Sequence, residues 1–175
     1  MAQETAITCV STCELSWILC YEGGFLFQSY RILGLECRRV GELLCRHCGA
    51  SVTRQSELIN AATSEHLYKY KYQFPIVGEN ATIYVFENPN AETFHVLTAR
   101  TAHLKLHGQP SSEATWFDGM QWTPCVCSYC ERHLGWYFQP DKHNIQQSQQ
   151  KGFVGLVLDY LVSKDFADSI TKAPI

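Results

Sequence analysis

CVCSYCERHLGW, residues 125–136, places three cysteines within six positions and follows them with a histidine and a tryptophan. Cys127 and Cys130 form a CxxC pair, and a second pair, Cys45 and Cys48, stands far upstream in CRHCG. Two such pairs on separate turns are what a structural zinc requires: each bends the backbone so that two thiolates point to one centre, and together they complete a tetrahedron. Gly49 gives the upstream knuckle the residue that turns most tightly. The metal would pin the start of the domain to a late hairpin, closing a long loop, where a cross-link constrains the chain most. The competing reading is disulfide bonding. Nine cysteines is an odd number, so complete internal pairing is impossible. Cys125 lies too far from Cys130 for a tight knuckle and reads as a small buried hydrophobe. With four sulfurs filling the sphere, His47 and His133 read as neighbours of the site rather than ligands.

Working outward, the chain of 175 residues suits one domain with an additional arm. It is 46% hydrophobic and 18% charged, enough to bury a core, and its net charge of -3 offers no basic excess to track a phosphate backbone. Nucleic acid is therefore not expected as a partner. HLYKYKYQF (66–74), ATIYVFENP (81–89), ETFHVLTAR (92–100), HLKLHG (103–108) and HLGWYFQP (133–140) are rich in aromatic and β-branched residues and are separated by turn chemistry. GFVGLVLDYLVS (152–163) is an apolar run that closes a sheet or, by its length, forms a helix. RQSELINAA (54–62) has the composition of a short helix. The fold class is mainly β, antiparallel, with little helix.

Residues 1–38 read as a poorly specified leader, 39–165 as the domain and 166–175 as a tail. The leader is apolar in part, but Glu14 and Glu22 interrupt it, and it lacks a basic flank and a small-residue cleavage site. It is too broken for a membrane span, so no membrane association is expected. The compartment stays open between secretion, with an atypical or mis-started signal, and the cytoplasm. The sequon at Asn80 is a triplet common by chance.

Trp116, Trp122 and Trp136 fall in the zinc-proximal part of the chain. Two readings compete: core filling, and an open aromatic cage held by a rigid knuckle, which would box in a small flat or cationic group.

SSEATWFDGMQWTPCVCSYCERHLGWYF (111–138), together with LLCRHCGASVTRQSEL (43–58), the ENP turn at 87–89 and GFVGLVLDYL (152–161), is similar to the CULT domain, the thalidomide-binding domain of the cereblon family. The order CxxC, ENP, W-x5-W, CxxC-x5-W carries the resemblance. It implies two antiparallel sheets pinned by one zinc (a β-tent), with Zn2+ on Cys45, Cys48, Cys127 and Cys130. It also implies a cage of Trp116, Trp122 and Trp136 backed by Phe138, with Asn88 flanking the pocket. In the family the cage takes glutarimide or uracil-like rings, including cyclic imides at protein C-termini, so the implied partner is a small molecule or modified peptide with a cyclic imide. The family binds the imide with backbone groups beside the first tryptophan and with a histidine two positions before it. Here that position is Ala114, with Thr115 and Glu113 the nearest polar side chains, and Asn90 stands where the drug-receptor protein has a further histidine.

Cereblon also carries a Lon-like region and a helical segment that docks a ubiquitin-ligase adaptor. Neither is visible here, so a stand-alone member without adaptor docking is expected. Two alternatives come from other classes. The first is a cage for methylated ammonium groups, for which Glu113 or Asp118 would supply an acidic rim. The second is an enzyme similar to methionine sulfoxide reductase B, which needs a nucleophilic cysteine on a late strand. No cysteine follows Cys130, and Cys125 is poorly placed for that role, so the expectation is a binding protein with no catalytic residue.

Overall fold

A computed structural model describes residues 8–12, 17–22, 25–27, 41–76, 78–141 and 151–171. The chain divides into two compact units, Met1–Arg39 and Val40–Ile175. In the first, β1 (Thr8–Thr12), β2 (Trp17–Glu22) and β3 (Phe25–Phe27) form an antiparallel sheet in the order β1-β2-β3. The stretch expected as a leader thus contains three paired strands. The rest of it, including Cys13 and Cys37, lies outside the described residues.

The second unit is built from two antiparallel sheets. The smaller runs β14-β4-β5: β4 (Glu42–Cys45) and β5 (Ser51–Arg54) flank the first cysteine knuckle, and β14 (Leu161–Ser163) pairs with β4. The larger has β10 (Leu104–Leu106), β11 (Met120–Cys127), β12 (His133–Pro140), β13 (Phe153–Val157), β9 (Thr93–Ala99), β8 (Glu79–Glu87) and β7 (Tyr70–Ile76) in that spatial order, with β6 (Leu58–Ile59) also on β9.

Side chains alternate across a strand, and this period of two divides the core of the unit. On one face of the large sheet Ile83, Leu97, Leu134, Val154 and Leu156 pack with Leu43, Val52 and Leu161 of the small sheet, and with Cys45 and Cys127. On the other face Tyr84, Phe86, Val96, Phe138 and Phe153 meet Trp116, Phe117 and Met120. All five residues of β13 are buried because it is covered on both faces, which is why its sequence is a continuous apolar run. Leu134 and Trp136, two residues apart, serve opposite faces because the register shifts between Cys125 and Val126, leaving Leu134 without a partner and breaking the alternation there. Gly135 between them passes so close to β13 that a Cβ would lie 2.0 Å from the Gly155 carbonyl oxygen. Its φ of 154° also favours glycine.

Three elements differ from the sequence expectation. The apolar run 152–163 is divided between the two sheets: β13, then a single 3-10 turn at Leu158–Tyr160, then β14. Residues 54–62 form a 3-10 turn, Gln55–Glu57, followed by β6 rather than a helix. The pairing of β8 with β9 stops at Tyr84 and Val96, so β9 offers free edge groups past that point, and Leu58 and Ile59 pair with Ala99 and Thr98 there. The Thr98 hydroxyl reinforces this, donating to the Ile59 carbonyl at 2.6 Å and accepting the Ala61 N–H at 3.1 Å. Long-range pairing here outweighs helix propensity. Finally, the expected tail begins inside α1 (Lys164–Thr171). No helix among the described residues is long and apolar enough to cross a membrane.

Candidate functional site: a cysteine centre and an aromatic pocket

The two knuckles are built alike. In the first, the Gly49 N–H donates to the Cys45 carbonyl at 2.8 Å and the Cys45 N–H to Ala50 O at 2.8 Å. In the second, the Glu131 N–H donates to the Cys127 carbonyl at 3.0 Å and the Cys127 N–H to Arg132 O at 2.8 Å. Gly49 and Glu131 occupy equivalent left-handed positions, with φ of 74° and 60°. The repeated fold of C-x-x-C is thus a backbone property, and a non-glycine residue is held in strained conformation in the second copy.

The knuckles bring Cys45, Cys48, Cys127 and Cys130 together, with all four sulfurs within 4.8 Å of one another. Cys45 Sγ stands 3.8 Å from Cys130 Sγ, and Cys48 Sγ 3.7 Å from Cys127 Sγ. These separations exceed the ~2.05 Å of a disulfide. They match the edge of a tetrahedron of sulfurs about 2.3 Å from a zinc ion, which is roughly 3.8 Å.

The electrostatics ask for the same ion. Burial pushes the Cys127 thiol up, but the N–H groups of Cys130 and Tyr129 and the thiols of Cys130 and Cys48 outweigh it and bring it to about 7. At Cys48 the Ala50 N–H pulls the other way, yet desolvation and the three neighbouring sulfurs push the thiol up to about 12. Four crowded thiols cannot all ionise without a cation among them, and Zn2+ supplies one.

Across the large sheet lies a pocket of ≈ 230 Å³ lined by Asn88, Pro89, Glu113, Ala114, Trp116, Trp122, Trp136 and Phe138. Trp116 and Trp136 meet edge to face at 4.7 Å and 76°. Trp116 stacks flat on Phe86 at 4.7 Å, and Trp136 is held by Phe94 at 5.1 Å and by the His133 ring at 4.7 Å. Phe138, 1% exposed, is wedged against Phe117 and Phe153. The walls are therefore fixed before any ligand arrives. The indole N–H of Trp116 donates to Glu87 O at 3.2 Å and that of Trp122 to Glu113 O at 2.8 Å. Both donors are consumed, so these two rings offer a guest π-faces and apolar edges.

The loop carrying the first two tryptophans is sewn down on both sides. Thr63 donates to the Trp116 carbonyl at 2.6 Å, Ser64 bonds the Asp118 carboxylate, and Ser111 and Trp122 exchange backbone bonds of 2.9 and 2.8 Å. Ala114 takes a left-handed φ of 49° at its bend.

The expected cage residues thus share one pocket, with refinements. Asn88 lines it, but its side chain serves its own loop: Oδ1 accepts the Asn90 and Glu92 N–H groups at 3.0 and 2.9 Å, and Nδ2 donates to the Glu92 carboxylate at 2.6 Å. Thr115 does not line the pocket, because its hydroxyl turns to the Phe117 carbonyl at 3.3 Å. Asp118, held by Ser64, lies away from the lining. His47 stands apart, in a depression beside the first knuckle. His133, whose pKa burial holds below its ordinary value, supports Trp136. Pro89 and the supporting rings Phe86 and Phe94 were not singled out in the sequence; the ENP turn and the alternation in ETFHVL were their only signals. Cys125 is fully buried, and burial pushes its thiol up to about 12 against the Tyr137 N–H, so it holds no thiolate at neutral pH.

A paired-knuckle zinc centre on one side of a large antiparallel sheet, with an aromatic pocket on the other, defines a zinc-stabilised β domain. The chain belongs to the Yippee-Mis18 family, described as Yippee zinc-binding/DNA-binding/Mis18, centromere assembly, whose model matches residues 42–169. It is similar to protein cereblon from several animals. It is 28% identical to that of Drosophila mojavensis over 125 residues, which is 71% of this chain and 17% of the relative. Identity is 30% with Drosophila virilis over 125 residues (71% and 18%) and 28% with Gallus gallus over 123 residues (70% and 24%). The chain spans about a fifth of the length of these curated relatives. The domain is thus cereblon-like, and its cofactor is Zn2+.

These matches correct one expectation. Adaptor docking was excluded because no docking segment precedes the domain in the sequence. The relatives are cereblons, the family for which such docking was described, and the first residue of this sequence is no measure of what adjoins the domain. The exclusion is withdrawn.

Proposed function

We propose that the Val40–Ile175 unit is a receptor for a flat, neutral ring of the cyclic-imide class, such as a glutarimide or a uracil-like ring, free or at the end of a modified peptide. The observation that carries this reading is the pocket of Trp116, Trp122 and Trp136 over Phe138, rigid and with two indole donors already bonded. At ≈ 230 Å³ it is smaller than the ~300–1,000 Å³ typical of drug-sized ligands, which suits a single ring. The cereblon relatives and the ENP, W-x5-W and CxxC-x5-W pattern support the same ligand class. Zinc has a structural role: four sulfurs leave it no open position for substrate. Cys125, buried and protonated, argues against the reductase alternative.

A second reading, a cage for a methylated ammonium group, is favoured by the presence of the acidic residue Glu113 in the lining. Titrating the zinc-loaded chain with glutarimide, uracil and trimethyl-lysine, followed by tryptophan fluorescence, separates the two. The imide reading expects saturable binding of glutarimide in preference to trimethyl-lysine; the reverse preference, or no imide binding, refutes it.

A further inference from the structure

We infer that Glu113 sets the charge of whatever carries the bound ring, so that rings on neutral or cationic chains are accepted and rings on anionic chains are disfavoured. The inference rests on the ring-binding reading above.

The basis is an inventory of charge around the pocket. Glu113 is the one ionisable residue in the lining; the others are three tryptophans, a phenylalanine, an alanine, an asparagine and a proline. Its backbone is fixed at both ends. The Glu113 N–H donates to Ser111 Oγ at 3.2 Å, its carbonyl accepts the Trp122 indole N–H at 2.8 Å, and the chain then bends sharply at Ala114. The exposed carboxylate therefore leaves the rim from a rigid point, and among the described residues it has no hydrogen-bond or ion-pair partner. A second carboxylate, that of Glu92, is held against Asn88 on the loop that forms another part of the rim. The described lysine pairs, Lys69–Glu87, Lys105–Glu131 and Lys164–Glu42, put no cation into the lining.

A ring lodged among the tryptophans is flat and neutral, and the rest of its molecule leaves through the mouth, past Glu113. An anionic group there meets like charge with no cation in the lining to offset it, whereas a cationic one gains an ion pair. Both effects act at an exposed position, so each is modest and screened by salt. Charge selection of this kind works mainly by penalising the wrong partner.

The test uses the full zinc-loaded chain and two peptides of equal length ending in the same glutarimide ring, differing only in Lys or Glu immediately before it. At low ionic strength the Lys peptide should bind about fivefold more tightly than the Glu peptide. In Glu113→Gln, and separately in wild type at high salt, the contrast should shrink to about twofold or less. Zinc content of the variant serves as the folding control. Equal binding of the two peptides by wild type, or a contrast that survives unchanged in Glu113→Gln, overturns the inference while leaving ring binding intact. If free glutarimide does not bind either, the ring-binding reading has failed and this inference falls with it.

Discussion

Gly155 stands opposite Trp136 across the β12–β13 pair, and the Cβ it lacks would fall 2.9 Å from the ring of Phe138 and 3.1 Å from Val96 Cγ1. The floor of the pocket is therefore set by a missing methyl group. Gly155→Ala should displace Phe138 and cost about 1–3 kcal/mol of stability, the usual range for overpacking. Imide affinity should drop while the metal content stays at one ion per chain, because the cysteine centre lies across the sheet. Denaturant unfolding and a fluorescence titration on the same preparation check both parts; unchanged affinity would mean that Phe138 does not form the floor.

The cysteine centre should hold one zinc per chain. Cys45→Ser should leave the domain largely unfolded, since three ligands cannot supply the binding free energy that is coupled to folding. Acidification should release the metal, because protons compete for each thiolate. Elemental analysis that finds well-folded protein without metal would contradict the assignment.

Trp122→Ala should abolish imide binding and keep the zinc. Its indole forms one wall and also ties the Glu113 carbonyl, so the change removes a surface and loosens the bend at Ala114 together. Affinity within about twofold of wild type, well under 1 kcal/mol, would show that the three tryptophans are core rather than cage.

Ala114→His should strengthen glutarimide binding about fivefold, the equivalent of one restored hydrogen bond of ~1 kcal/mol. Ala114 has a φ of 49°, and histidine is among the residues that tolerate this region, so the substitution fits the backbone. A trimethylammonium ligand, which makes no such bond, should gain nothing. Calorimetry with both ligands decides it: an equal gain for both, or none for the imide, counts against the imide reading.

Much of this was written locally and so could be read locally. A CxxC pair closes its own knuckle, so the four ligands were legible from spacing, and Cys127 and Cys130 were preferred over Cys125 for the same reason. The alternation in HLYKYKYQF and ETFHVLTAR is the sheet's period of two, and β7 and β9 appear there. Other features depend on partners distant in sequence. Residues 54–62 carry a helical composition, but the open edge of β9 claims Leu58 and Ile59 as a strand. Thr115 and Asn88 carry side chains suited to a ligand, yet the turns in which they sit consume those groups. Sequence alone determined that the chain would be an antiparallel β protein with a four-cysteine zinc centre, because strand alternation and knuckle spacing are short-range covalent geometry. Only the tertiary structure decided that the tryptophans converge on the face opposite the zinc, with Phe138 and Glu113 in the same lining, because that depends on which strands pair and in what register.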